Sequence, residues 1–196
     1  AECFVLAPRR TRYCVIIPAI NEDGRILRQL AAMAELGLPA AADVILADGG
    51  STDGSTETGR LADLGVRALL VKRDTGRLGA QLRMGYAFAM AEGYEGVVTI
   101  DGNGKDSVES IPLFLQALDR GVDYAQASRF LPGGRGVNTP LSRTLAIRLL
   151  HAPAVSLAAR KWLTDTTQGF RAYSRRYLLH PDVQPFREIF QTYELL

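Results

Sequence analysis

Three stretches of this sequence place oxygen-bearing side chains directly after an apolar run: Pro18 to Glu22 (PAINE), Asp48 to Ser55 (DGGSTDGS) and Asp101 to Asp106 (DGNGKD). Carboxylate and amide oxygens of this kind can hold a hard cation or accept from hydroxyl groups. Asp101 and Asn103, two positions apart around Gly102, can aim two oxygens at one divalent cation that carries a diphosphate. Asp48 can accept from a nucleobase or a ribose hydroxyl. It can equally cap a turn built from Gly, Ser and Thr, and the residues alone leave both roles open. Asn21 and Glu22 carry the same ambiguity, because Asn and acids near a helix start are common caps, while Pro18 stiffens their loop. Gly76, Arg77 and Gly79 form a pliant cationic loop suited to phosphates, and Arg129 offers a forked guanidinium for the same purpose. Lys105 is either a further neutralising cation or a solvated loop lysine.

These residues need a scaffold that brings their loops to one edge. Apolar, β-branched runs at Cys14 to Ile17, Val44 to Ala47, Val66 to Val71 and Val97 to Ile100 predict four strands. Helix-period segments lie between them at Arg25 to Leu36, roughly Ser55 to Leu64, and Gly79 to Glu92, so the alternation predicts a parallel sheet with crossover helices. A further helix is expected to start at Asp106, with Glu109 completing a capping box ahead of Ile111 to Leu118, and a fifth strand is expected at Tyr124 to Ala127. Beyond Phe130, LPGGRGVNTP reads as a loop, Leu141 to Ala159 as a helix kinked at Pro153, and TDTTQGFRAYS as a loop entering a short strand. In an open sheet of this kind, ligands bind outside the carboxyl ends of the strands, which is where all three acid-bearing loops fall.

Composition narrows the classes. The chain has 196 residues, 47% hydrophobic, with a formal charge of +2, so it can bury a core and carries no nucleic-acid footprint. Cys3 and Cys14 lack metal or disulfide spacing, which favours a reduced, cytosolic setting. No apolar stretch of ~18 residues runs uninterrupted by charge or proline. GNGKDS lacks the spacing of a Walker loop, no Gly-x-Gly-x-x-Gly follows the first strand, and the position of a nucleotidyltransferase's glycine-rich loop holds PAINE instead. His151, His180 and Trp162 read as structural.

In order and spacing, VIIPAINE, LADGGSTDGST, GRLGAQLRMGYAFA, VVTIDGNGKD, QASRFLPGG and DTTQGFRAYS resemble the motifs of family 2 glycosyltransferases, nearest to the polyprenyl-phosphate, dolichol-phosphate type. The resemblance implies a GT-A-type, Rossmann-like α/β fold and an inverting transfer from a nucleotide-sugar donor, UDP- or GDP-linked. It implies that Pro18, Ala19, Asn21, Glu22 and Asp48 surround the nucleotide, and that Asp101 and Asn103 hold a divalent cation, Mg or Mn. Arg77, Gly79, Gly102, Lys105 and Arg129 fall on the donor phosphates, and Gly169, Phe170 and Arg171 on the acceptor side. Asp101, Arg129 and Glu194 are the catalytic candidates, with Glu194 a base for a hydroxyl acceptor. The acceptor is expected to be a lipid phosphate or a glycan hydroxyl.

Two departures accompany the resemblance. Gly49 stands where the family usually has a second acid, and Asn103 replaces the second acid of the metal motif, which predicts weaker metal binding and a compensating role for Lys105. The weakened acid pairs also keep a non-catalytic nucleotide-sugar binding module in view, with a sugar-phosphate nucleotidyltransferase as the other rival. The cluster Arg160, Lys161, Arg171, Arg175 and Arg176 is expected either to be solvated or to meet an anionic membrane, at its cytoplasmic face. The chain is expected to be one catalytic domain, residues 1–196, cut short at its C-terminus.

Overall fold

The computed structural model describes residues 1–73, 75–134, 140–183 and 185–186. Its centre is β2 (Tyr13–Ala19), whose seven residues are all buried. Alternate side chains explain why both faces must be covered. Val15 and Ile17 pack with Ile26, Leu30 and Met33 of α1 (Arg25–Glu35), whereas Cys14 and Ile16 pack with Leu82, Tyr86 and Ala89 of a helix on the other face. Parallel neighbours flank β2: β3 (Asp43–Asp48) on one side, and β5 (Gly96–Thr99) on the other. The short α2 (Leu38–Ala41) leads into β3, and α3 (Thr58–Asp63) leads into β4 (Val66–Val71), which pairs in parallel with β3. The helix α4 (Leu78–Ala91) then crosses the opposite face to β5.

The strand order is β1-β4-β3-β2-β5-β7-β6, with β1 (Glu2–Val5) an antiparallel edge on β4. A mostly parallel α/β sheet was the expectation, and the parallel centre agrees with it. The order reverses between β2 and β5, so the loops after β2, β3, β4 and β5 open onto one crevice. Two features depart from the sequence pattern. The edge strand β1 is exposed and only four residues long, too short to register as a period. More consequentially, β7 (Arg171–Ser174) inserts antiparallel between β5 and β6 (Tyr124–Gln126), pairing Thr99 with Arg171 and Gln126 with Arg171. The expected fifth strand therefore reaches the sheet only through β7.

Asp106 is not a helix cap. A 3-10 turn at Val108–Ser110 precedes α5 (Ile111–Asp119), and the Asp106 carboxylate accepts from Gln168 Nε2 at 2.7 Å instead. Glu109 accepts from Ser107 Oγ rather than completing a box with Asp106. The segment with the expected proline kink comprises α6 (Leu141–Ala146), a π-helical turn at Ile147–His151 and α7 (Ala152–Ala159). Pro153 lacks an N–H and crowds the carbonyl four residues back, and the widened turn just ahead of it accommodates both defects. The last helix among the described residues, α8 (Arg175–Leu178), is capped by Ser174 Oγ, which accepts from the Tyr177 N–H.

Candidate active site

The loop after β3 begins with Asp48, which is 1% exposed. Its carboxylate accepts from the Gly50 N–H at 2.8 Å, the Ser51 N–H at 2.9 Å and the Ser51 hydroxyl at 2.5 Å. Asp48 thus spends its acceptor capacity on its own turn, and it lies behind the crevice rather than in its wall. Asn21 stitches this loop to the one after β2: its N–H donates to Ser51 Oγ at 3.0 Å, and its Oδ1 accepts from the Thr52 N–H at 2.8 Å. Asn21 achieves this with a left-handed backbone, φ 48°, a conformation that Asn tolerates better than most residues.

Gly49 has a physical reason to replace an acid. A Cβ there would lie 2.9 Å from Gln81 Nε2 and 3.0 Å from Ile20 Cβ. Gln81, buried on α4, donates to the carbonyls of Ala19 at 2.8 Å and Ala47 at 3.0 Å. It braces the ends of β2 and β3 where their ladder stops, and a side chain at 49 would push that brace aside.

Pro18, Ala19, Glu22, Gly49, Lys72, Arg77, Gln81, Asp101, Gly102 and Asn103 line a cleft of about 400 Å³ at this edge. Most of the expected donor residues are therefore brought together, while Asn21, Asp48, Gly79, Lys105 and Arg129 stand outside its wall. Sequence inspection missed Lys72 and Gln81. Lys72 follows β4 at the same carboxyl edge, so the rule that located the other loops points to it; Gln81 has only a polar residue in an apolar helix as its signal.

The loop after β5 behaves differently. Among the described residues, no hydrogen bond reaches the Asp101 carboxylate, which packs over Gly169, where a Cβ would approach to 3.1 Å. Burial first, then the neighbouring charges of Asp106 and Glu22, push its carboxyl above the ordinary range, against the pull of Arg171 and Lys105. Asp106 is raised as well, by burial. Asn103 Oδ1 accepts from the Lys105 N–H at 3.0 Å, which closes the turn and leaves one lone pair for a further partner. Lys105 itself is exposed.

This donor set fits a hard divalent cation with few protein ligands. Asp101 supplies one unshared carboxylate and Asn103 an amide oxygen, the sparse pattern in which substrate phosphates complete the shell. Among the described residues, no group of three or more His, Cys, Asp or Glu side chains gathers into a fuller cage.

A second, smaller cavity of about 140 Å³ opens on the other side of Asp101, lined by Tyr86, Thr167, Gly169, Arg171 and Tyr173. The segment before β7 forms it. Arg129, expected on phosphates, is committed to Asp165 through a fork at 2.7 and 2.9 Å, and to Thr167 Oγ1 at 2.6 Å. Arg171 is buried and donates to the Gln168 carbonyl at 2.9 Å. Phe170, expected on the acceptor side, packs in the core against Phe114 with ring centroids 4.4 Å apart. Glu194 lies outside the described residues.

The basic cluster does not form one surface. Arg171 is buried, Arg175 donates to the Met90 carbonyl at 2.9 Å, and Arg176 pairs with Asp123 at 2.6 Å, leaving Arg160 and Lys161 exposed after α7.

Residues 14–180 match the model of a protein family described as Glycosyl transferase family 2. The chain is similar to the polyprenol monophosphomannose synthase of Mycolicibacterium smegmatis, 31% identical over 173 residues, which covers 85% of this chain and 63% of that protein. It is also similar to the undecaprenyl-phosphate mannosyltransferase of Micrococcus luteus, 32% identical over 167 residues, covering 83% of this chain and 66% of that protein. The chain thus spans just under two thirds of these relatives. Among solved structures, it resembles the glucosyl-3-phosphoglycerate synthase of Mycobacterium tuberculosis in complex with Mn2+, UDP and glucosyl-3-phosphoglycerate, with a TM-score of 0.60 at 22% identity over 85% of this chain and 57% of that one. At that identity the likeness shows the fold, which is of the GT-A type.

Proposed function

Since the chain belongs to glycosyl transferase family 2, we propose that it transfers a sugar, with inversion, from a nucleoside-diphosphate donor to a polyprenyl phosphate. The observation that carries this is the Asp101 carboxylate, free of hydrogen bonds among the described residues, in the wall of a cleft that Lys72 and Arg77 also line. The nucleoside half lies against Pro18 to Glu22 and Gly49. The diphosphate lies toward Arg77 and Asn103, with Lys105 reaching it from outside. Asp101 and Asn103 would hold a divalent cation, Mn or Mg, which when bound supplies positive charge to the departing diphosphate. The names of the two curated relatives make a mannosyl donor the first to try, on either GDP or UDP.

The chain's own residues then act by placement and charge. Departure of a diphosphate builds negative charge on its oxygens, and preplaced donors lower that barrier more than they stabilise the ground state. Arg77, Lys105 and the Asn103 amide are those donors. A lipid phosphate is already largely dianionic at neutral pH, with its second pKa near ~6, so it attacks without a strong base. A glycan hydroxyl would need a carboxylate base, the role reserved for Glu194. Asp106, held by Gln168, and the fork of Arg129 on Asp165 keep the acceptor-side segment in position.

The test is transfer of labelled sugar from GDP-mannose and UDP-sugars to undecaprenyl phosphate, with Mn2+, Mg2+ or chelator, alongside calorimetry with the nucleoside diphosphates. Transfer that needs metal and is lost in Asp101→Asn is expected. Donor binding with no transfer to any acceptor would support the binding-module reading instead, which the lost charge at Asn103 favours. Release of pyrophosphate would identify a nucleotidyltransferase.

A further inference from the structure

A cluster of exposed apolar side chains lies away from the cleft. Residues 124–164 contain no Asp or Glu and carry Arg129, Arg135, Arg143, Arg148, Arg160 and Lys161. α6, the π-helical turn and α7 run through that stretch, and only one side of them is packed. Ile147 and Ala152 are buried, and His151 meets Thr166 Oγ1. On the outer side, Leu149 is 67% exposed, Leu150 71%, Leu157 82% and Trp162 86%. Ser156 Oγ accepts from the Leu163 N–H at 2.9 Å and folds the following turn back, so that Arg160, Lys161 and Trp162 stand at the end of α7 that carries Leu157. Arg148 stays at the surface, its guanidinium 5.6 Å from the centre of the Phe130 ring.

We infer that this face docks on a bilayer surface containing anionic phospholipid. A cluster of exposed leucines with one tryptophan is an interaction site, not ordinary surface. Of the described cations, Arg148, Arg160 and Lys161 flank it with no acid in residues 124–164, whereas Arg129 is spent on Asp165; that charge matches a uniformly negative plane and would repel a basic partner. No helix among the described residues is long and apolar enough to cross a membrane, so the segment lies in the interface with its leucines in the acyl boundary. For its purpose the inference rests on the lipid-phosphate reading of the acceptor. His151 ties this segment to Thr166, and the adjoining residues Thr167 and Gly169 line the small cavity beside Asp101. A phosphate carried at the membrane surface would thus arrive on the acceptor side of the carboxylate.

Trp162 is the sole tryptophan, so its emission reports this face directly. The 196-residue chain is titrated with vesicles of phosphatidylcholine alone, and of phosphatidylcholine mixed with phosphatidylglycerol, without nucleotide or metal. A blue shift and quenching by brominated acyl chains are expected with the anionic vesicles, weakening as salt is raised. Arg160→Gln with Lys161→Gln should lower partitioning about thirty-fold, and Leu149→Ser with Leu150→Ser should lower it also, with unchanged circular dichroism. Absence of a shift with anionic vesicles overturns the inference. So does a shift that follows protein concentration without lipid, which would mean that a second copy covers the face. Vesicle binding without sugar transfer leaves docking standing and sinks the transferase reading; transfer to a soluble short-chain acceptor without vesicle binding sinks docking alone.

Discussion

The loops after β3 and β5 both begin with an aspartate at a strand end, yet they use it in opposite ways. Asp48 is sealed into its turn by three donors within 2.9 Å, two backbone N–H groups and a hydroxyl. Asp101 is given no donor at all among the described residues, and instead has Asp106 and Glu22 close enough to disfavour its charge. A carboxylate with satisfied oxygens stabilises the fold; one left unsatisfied and repelled is held ready for a ligand. Position at the carboxyl edge therefore selects candidates, and hydrogen bonding sorts them into acids spent on the framework and acids left open to a ligand.

The sharpest way to break this contrast is to neutralise each acid in turn. Asp101→Asn should lower transfer by about 10³-fold, the scale for losing one electrostatic element of a transition-state site, while thermal unfolding shows no loss of stability. A variant that unfolds early instead would make Asp101 a framework residue and erase the difference. Asp48→Ala should do the reverse and cost about 2–4 kcal/mol of folding free energy in denaturant melts, because it removes a charged acceptor and orphans buried donors. Donor affinity should then fall only as the loop loosens.

A smaller effect is expected from Gln81→Leu, which keeps the packing but removes the side-chain donor to the carbonyls of Ala19 and Ala47, the former keeping the Gly49 N–H at 2.8 Å. It should cost about 1–3 kcal/mol and appear as weaker nucleotide binding with kcat nearly intact. Inactivation without a change in binding would show that Gln81 touches the reaction itself.

The same contrast predicts pH slopes of opposite sign. Burial alone would raise Asp165, but the hydrogen bonds and charge of Arg129 outweigh it and hold the carboxyl below 3.8. Its contribution is therefore present above 3.8 and is lost as pH falls through the lower folded value. Asp101 is shifted upward, so its ionisation costs stability at neutral pH, and that cost fades as pH falls through the raised value. Melts across the acidic range should show Asp101→Asn gaining on the native chain only above that value, and Asp165→Asn losing most near neutrality. The smallest effect is expected at Lys105, an exposed side chain. Lys105→Ala should weaken donor binding by less than about 1 kcal/mol, more at low salt, and steepen the dependence on metal. An unchanged metal requirement with unchanged donor affinity would remove Lys105 from the site.

Much of this was legible in the residues. Short continuous apolar, β-branched runs alternating with helices of period 3.6 located the parallel strands within a residue or two, because burial on both faces leaves β2, β3 and β4 few alternatives. The same pattern placed PAINE, DGGSTDGS and DGNGKD at one edge. What escaped depended on contacts between segments far apart in the chain. Asp106 reads as a cap until Gln168, 62 residues on, takes its carboxylate. Arg129 reads as a phosphate ligand until Asp165 closes on it, and Phe170 as a wall of the site until it meets Phe114.

By itself, then, the sequence determined a mostly parallel α/β sheet and the edge at which its acid-bearing loops gather, since apolar runs and turn residues are local and each strand carries its own. Only the tertiary structure decided that Asp48 is spent on the framework while Asp101, among the described residues, is left without a donor. Asp48 takes its donors from residues two and three positions on, whereas the surroundings of Asp101 come from afar, because β7 runs antiparallel beside β5 and lays Gly169 against its carboxylate.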